Sequence, residues 1–168
     1  MANGAVLLAF LTLQRSGELV LAGRNTRALL SRGGCETGAR QYPVMVALHA
    51  AWLVTLWIFV WGRPLVAGVV ILFVLLQAAR LWVLQTLGSR WTTRIIIVPD
   101  VPRITRGPYR FLKHPNYAIV ALELPCASLA LGLVWHAVVF GILNLAMLAW
   151  RIRMENAAWQ ATSSNAHS

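Results

Sequence analysis

An all-α, polytopic membrane bundle, a single domain over residues 1–168, is the fold class this sequence predicts, and three observations predict it. Of the 168 residues 58% are hydrophobic and only 12% charged, with a mean hydropathy of +0.64. A soluble domain averages about 45–50% apolar and about 25% charged. One core of this size cannot hide so much apolar surface with so few charges left to face water. Apolar runs of roughly 20 residues recur, the length a helix needs to cross about 30 Å of hydrocarbon. Finally, the basic residues collect between those runs, the usual way in which membrane topology is encoded.

Five helices follow, at about 4–23, 43–61, 64–87, 116–133 and 134–155. The first starts after Met1-Ala2-Asn3, which carries no positive side chain, and is interrupted by Arg15 and Glu18, so it does not read as a signal peptide. Tyr42-Pro43 opens the second, and Gly62-Arg63-Pro64 turns sharply into the third, because proline fits a first helical turn but not an interior. Gly88 ends the third helix. A linker over 88–115 leads to the fourth, which begins at Asn116-Tyr117. Leu131-Gly132-Leu133-Val134 leaves almost no loop, so the fourth and fifth helices are expected to form a tight hairpin. The polar tail Ala161–Ser168 is expected to be disordered.

The formal net charge is +10, from 15 Lys and Arg against five acids, and 14 of the 15 are Arg. The segments 24–41 and 88–115 and the end of the fifth helix hold twelve of these cations, against Arg63 alone between the second and third helices. With five spans, those three basic segments share one face, which the positive-inside rule makes cytoplasmic, and the N-terminus lies outside in a bacterial cell membrane. An anionic lipid surface or ligand explains the charge better than nucleic acid does. Cys35 and Cys126 offer neither a C-x-x-C nor a His-rich spacing, so no metal is expected.

Ionisable groups within membrane helices are costly and therefore candidates for function. Arg15 and Glu18 sit three apart on the first helix, where they can pair with each other or across helices. Gln77 and Arg80 repeat that spacing on the third, with Arg80 free to reach either the interface or a buried anion. On the fourth, Glu123 falls nearly two turns below Asn116 on the same face. The fifth carries His136, Asn144, Arg151 and Glu155, the last three along one stripe. His49 and His136 read as satisfied helix histidines, and the tryptophans as an aromatic belt or lipid-facing packing.

The stretch that carries chemistry is Gly107-Pro108-Tyr109-Arg110-Phe111-Leu112-Lys113-His114-Pro115-Asn116-Tyr117. Two prolines and a glycine forbid a continuous helix, and cations, a histidine and two tyrosines gather at the mouth of the fourth helix. Its N-terminal amides are themselves a ready anion site. These residues resemble the signature of the isoprenylcysteine carboxyl methyltransferase family, G-x-Y-x-x-x-R-H-P-x-Y. Gly107, Tyr109, His114, Pro115 and Tyr117 match it, with Lys113 where Arg is usual. The second signature, R-x-x-x-E-E, is met by Arg151 and Glu155, with Asn156 in place of the second Glu. Arg80 followed by Leu87-Gly88-Ser89-Arg90-Trp91-Thr92 is a weaker third match, and the likeness spans roughly 75–156.

The resemblance implies methyl transfer from S-adenosylmethionine to a lipophilic acceptor held in or near the membrane. It implies a cofactor pocket of Tyr109, Lys113, His114, Pro115, Asn116, Tyr117 and Glu123, closed by Arg151 and Glu155. His114, Glu155 and Arg151 would be the catalytic groups. The acceptor would offer oxygen, as a carboxylate or as a phenol or pyrone hydroxyl. A carboxylate is already nucleophilic at neutral pH, whereas a phenol, with a pKa of about 10, profits from a base such as His114 or Glu155. No strand–helix alternation or G-x-G turn is present, so the dinucleotide-binding fold of soluble methyltransferases is excluded. Two other readings remain. Membrane reductases of the sterol type also use H-P-N-Y with a nicotinamide cofactor, but continue with x-G-E, whereas Ala118-Ile119-Val120 follows here. A structural or transport protein would spread its polar residues along a path through several helices.

Overall fold

The computed structural model describes residues 2–99 and 101–165. Five helices dominate: α1 (Ala2–Leu30), α2 (Gln41–Phe59), α3 (Ala67–Leu87), α4 (Pro115–Ala130) and α5 (Val134–Asn165). Two short strands, β1 (Cys35–Thr37) and β2 (Ile95–Ile97), pair antiparallel with Glu36 opposite Ile96. These strands were not anticipated. They join the α1–α2 connection to the linker after α3, so both basic segments lie at the same end of the bundle.

Four of the helices are long and apolar enough to cross a membrane, and α4 falls outside that set. The fourth helix, expected at about 116–133, is shorter than that: α4 has 16 residues, with Pro125 inside it. At 1.5 Å per residue it is shorter than the hydrocarbon thickness. It nevertheless runs antiparallel to α3 over nearly that helix's whole length, since the Val66 N–H at the start of α3 donates to the Ala130 carbonyl at 2.9 Å. α4 is also the most buried helix, with Glu123, Leu124, Ala127, Ser128 and Ala130 shielded completely. A span sheathed by its neighbours does not have to match the lipid.

Other boundaries move outward. α1 continues seven residues past the expected end at 23, which places Arg24 and Arg27 on the helix. α5 runs to Asn165, so residues 161–165 of the expected disordered tail are helical, while 166–168 lie outside the described residues. The α4–α5 hairpin closes as expected. Leu133 N–H donates to Ser128 C=O and Gly132 N–H to Leu129 C=O, the paired bonds of a Schellman turn. Gly132 adopts φ +68°, where a side chain would be strained.

The apolar core joins all five helices through Leu8 and Leu11, Trp52 and Leu56, Phe73 and Leu76, and Leu124 and Ala127, with Phe140 of α5 packed against it. Two polar clusters cross it. At the end away from the linker, Trp52 Nε1 donates to Ser128 Oγ, and the His136 ring nitrogens lie 2.8 Å from Ser128 Oγ and 2.8 Å from Thr55 Oγ1. This pins α2, α4 and α5 and explains His136 as a satisfied core histidine. The second cluster is ionic. Arg80 donates to both oxygens of Glu18, and at 2.9 Å to Glu123. Arg15 lies 3.0 Å from Glu18 and 2.8 Å from Glu123. Gln14 and Gln77 close the ring, Gln77 donating to Glu123 at 2.7 Å and Gln14 to Gln77 at 2.6 Å. Two cations and two anions cancel, and α1, α3 and α4 are locked in register.

Removing one member of a buried ion cluster leaves its partner's charge uncompensated, which costs about 3–5 kcal/mol where it has been measured. Glu123→Gln keeps the side-chain shape and removes the charge. It should lower the melting temperature in detergent far more than Glu36→Gln, which breaks the partly exposed Glu36–Arg94 pair, a class worth about 0–1 kcal/mol. Equal shifts in the two variants would show that the ring does not hold the bundle.

Candidate functional site

The site forms where the linker folds back over the ends of α3, α4 and α5. Gly107 makes this possible. It turns at φ +60°, and a Cβ there would meet Thr86 Oγ1 at 2.6 Å. Pro108 and Pro115 each start a helical segment, because proline brings no N–H that a first turn would need. Tyr109 is thereby delivered by a short 3-10 turn, and Tyr117 by the first turn of α4.

Tyr117 is the centre of the arrangement. Its hydroxyl donates to Glu155 Oε2 at 2.7 Å. The His114 ring stacks on it with centroids 5.4 Å apart, and the Arg151 guanidinium lies 5.8 Å from its ring centre. His114 Nδ1 is 3.8 Å from Glu155 Oε1. Arg151 is buried and donates from Nη2 to the Thr93 carbonyl at 2.8 Å, which ties α5 to the linker. No carboxylate lies within ion-pair distance of Arg151 among the described residues.

Two cavities meet at this tyrosine. The first, of about 280 Å³, opens at the linker end and is lined by Tyr109, Lys113, His114, Asn116, Tyr117 and Glu155, together with β2, Arg103 and Trp159. The second, of about 260 Å³, lies inside the bundle. Arg15, Glu18 and Arg80 of the ionic ring line it, with His49, Asn144 and Arg151 and an otherwise mainly apolar wall. The exposed members of that wall are Ser16 and Leu19 on α1 and Val46 and Ala50 on α2, so it opens between these two helices. Trp91, Thr92, Asn116 and Tyr117 line both cavities and form the partition between them.

The expected site residues therefore divide. Tyr109, Lys113, His114, Asn116, Tyr117 and Glu155 come together around the first cavity, and Pro115 sets the turn that presents them. Arg151 does not line that cavity. It lines the second, with its guanidinium over the Tyr117 ring of the partition. Glu123 lines neither cavity. It is completely buried, with its carboxylate consumed by Arg15, Arg80 and Gln77. It was expected among the cofactor-binding residues; two turns below Asn116, it lies in the ionic ring instead. Trp159 and Arg103 were missed. Trp159 continues the stripe of Arg151 and Glu155 at the next fourth residue, which was a readable signal. Arg103, whose guanidinium lies 4.6 Å from the Trp159 ring centre, had none.

Burial shapes the chemistry of the linker groups. It pushes the Tyr109 hydroxyl up to about 12, with the Glu155 charge adding to the effect, so Tyr109 stays a hydrogen-bond donor. Burial also lowers His114 below its ordinary value. Glu155 opposes this, while the positive charges of Lys113 and Arg103 reinforce it. The imidazole is neutral at pH 7 and carries a lone pair.

Comparison with known proteins adds the following. Residues 69–161 match the model of the isoprenylcysteine carboxyl methyltransferase (ICMT) family. The chain is 33% identical over 171 residues to the uncharacterized protein YpbQ of Bacillus subtilis, an alignment covering 94% of this chain and 97% of that one. No solved structure matches.

The lowered His114 pKa has a consequence for stability. Between its folded value and its ordinary one, the histidine binds fewer protons in the folded chain than in the unfolded chain. Its contribution is therefore full above the ordinary range and is lost as pH falls toward the folded value. Melting in detergent from pH 7.5 to 5 should show a steeper loss in the wild type than in His114→Gln. Parallel curves would show that His114 does not titrate as described.

Proposed function

The chain belongs to the isoprenylcysteine carboxyl methyltransferase family, and from that premise we propose that this multi-pass membrane methyltransferase uses S-adenosylmethionine to O-methylate a lipophilic acceptor. The observation that carries the reading is the partition at Tyr117. A cavity of mixed polarity at the linker and a mainly apolar cavity opening between α1 and α2 are separated by one layer of side chains. Such an arrangement suits a water-soluble donor entering from one side and a lipid-borne acceptor from the other.

The linker cavity fits the cofactor in its chemistry. Lys113 and Arg103 supply cations for a carboxylate, Glu155 an anion for an ammonium or a ribose hydroxyl, and Tyr109 and Trp159 aromatic faces. Trp91 Nε1 and Asn116 Oδ1 are buried in the partition without a hydrogen-bond partner among the described residues, as expected of groups that pair with a ligand. Lys113 offers a point charge where the family has the bidentate fork of Arg.

S-adenosylmethionine, held by Lys113, Arg103, Glu155, Tyr109 and Trp159, would supply an electrophilic methyl group on a sulfonium. The chain's own residues align the partners and exclude water. Tyr117, held by Glu155 and by the stacked His114, fixes the partition through which the two reactants meet. Arg151, the buried cation on the acceptor side, favours the anionic form of the attacking oxygen. The neutral His114 imidazole can take a proton released from a hydroxyl acceptor. The basic end of the bundle faces the cytoplasm of a bacterial cell in this reading, with the N-terminus outside.

Calorimetry on the detergent-purified protein tests this. S-adenosylmethionine and its demethylated product should bind saturably and NADPH should not, whereas NADPH binding alone would move the protein to the reductases. His114→Ala and Glu155→Ala should each weaken cofactor binding by about tenfold or more, the loss of one buried polar contact, without unfolding the chain. Wild-type affinity in both would remove these residues from the cofactor site.

A further inference from the structure

One buried acceptor atom in the wall of the intramembrane cavity is left unused by every contact described above. Asn144 lies on α5, is completely buried, and lines the cavity that opens between α1 and α2. Its Nδ2 donates to the Val120 carbonyl at 3.0 Å. That bond fixes the sense of the amide, because the flipped orientation would set two oxygens against each other. Oδ1 is therefore an acceptor by geometry, and it has no hydrogen-bond partner among the described residues. A buried amide oxygen left unpaired is costly and calls for a donor.

The surrounding charges say which kind of donor. Arg15 and Arg80 also line this cavity, yet both are neutralised by Glu18 and Glu123. A carboxylate reaching this depth would meet the Glu18 carboxylate and an amide oxygen, with both nearby cations already engaged. A hydroxyl meets no such opposition and supplies the missing hydrogen. Arg151, which has no carboxylate within ion-pair distance among the described residues, lies two turns further along α5 and adjoins Tyr117, at the partition. Val120, which anchors Asn144, is one turn beyond Asn116 on α4, so the unpaired oxygen sits about 6 Å deeper than the partition.

We propose that Asn144 is a specificity-determining residue of an acceptor site in this cavity. It accepts a hydrogen bond from a hydroxyl on the acceptor's head group and thereby favours hydroxylated amphiphiles over fatty carboxylates. The proposal rests on the methyltransferase reading and narrows it from oxygen acceptors in general to hydroxylated ones.

The test uses the full chain in detergent, saturated with S-adenosylhomocysteine, and three probes: 5-pentadecylbenzene-1,3-diol, its dimethyl ether and hexadecanoic acid. The wild type should bind the diol about tenfold or more tighter than the ether or the acid, since a site built for a hydroxyl discriminates against an analogue lacking it. Asn144→Leu should reduce that preference to about threefold or less while leaving S-adenosylhomocysteine affinity unchanged. Asn144→Ser, which keeps a hydrogen-bond acceptor, should retain part of the preference and guards against a folding defect in the leucine variant. Ala50→Trp, at the exposed mouth of the cavity, should weaken all three probes. A full preference in Asn144→Leu, acid binding as tight as diol binding in the wild type, or unchanged probe binding in Ala50→Trp would each overturn the proposal. Failure of the wild type to bind S-adenosylhomocysteine would instead sink the methyltransferase reading, and the diol-to-ether ratio, measured without it, still reports on Asn144.

Discussion

The closed ring of Arg15, Glu18, Arg80 and Glu123 is the constraint around which the bundle is built. Water cannot compensate a charge at this depth, so each of the four groups must find an opposite charge in another part of the chain. Two guanidiniums and two carboxylates, supported by Gln14 and Gln77, satisfy that demand only when α1, α3 and α4 stand at one relative height. Apolar packing alone would tolerate sliding along the helix axes. The ring does not, because a shift of one residue would separate charges held within 3.0 Å.

This registration reaches the linker. With α1 and α3 held parallel, Asn25 on α1 caps the far end of α3 by donating to the carbonyls of Gly88 and Trp91. Thr26 meets Thr92 at 2.8 Å, and β1 then pairs with β2. The linker is thereby tied to α1 as well as to α5, through Thr93 and Arg151. A segment broken by two prolines has little regular structure of its own. It is positioned by contacts at both of its flanks, and the residues of the H-P-N-Y turn inherit that position. The same ring forms part of the wall of the inner cavity, so one structural device both supports the site and sets the electrostatics of the space beside it.

Much of this was legible in the chain itself. Apolar run length and the clustering of arginines revealed a helical membrane bundle, because the cost of exposing backbone and charge to hydrocarbon leaves few alternatives. Gly132 announced the α4–α5 hairpin, and the prolines and Gly107 announced a broken segment before α4. Less legible was α4. Residues 116–133 read as one more span, and only the sheath of neighbours around α4 explains how a helix of 16 residues, carrying a glutamate and a proline, crosses the bundle. The two strands escaped notice because three residues apiece carry no periodicity of their own. They exist because the ends of α1 and α3 are held side by side.

By itself, then, the sequence determined the fold class, the positions of the breaks and the identity of the candidate site residues, since these follow from local composition and backbone geometry. The tertiary structure decided which of those residues share a cavity. Helical spacing placed Glu123 on the same face as Asn116, and placed Arg151 in line with Glu155, but a face is not a partner. Whether a carboxylate meets a ligand or a guanidinium depends on which helix stands opposite and at what height. Both were settled by the pairing of four charges from three distant stretches of chain, an energy that no single stretch contains.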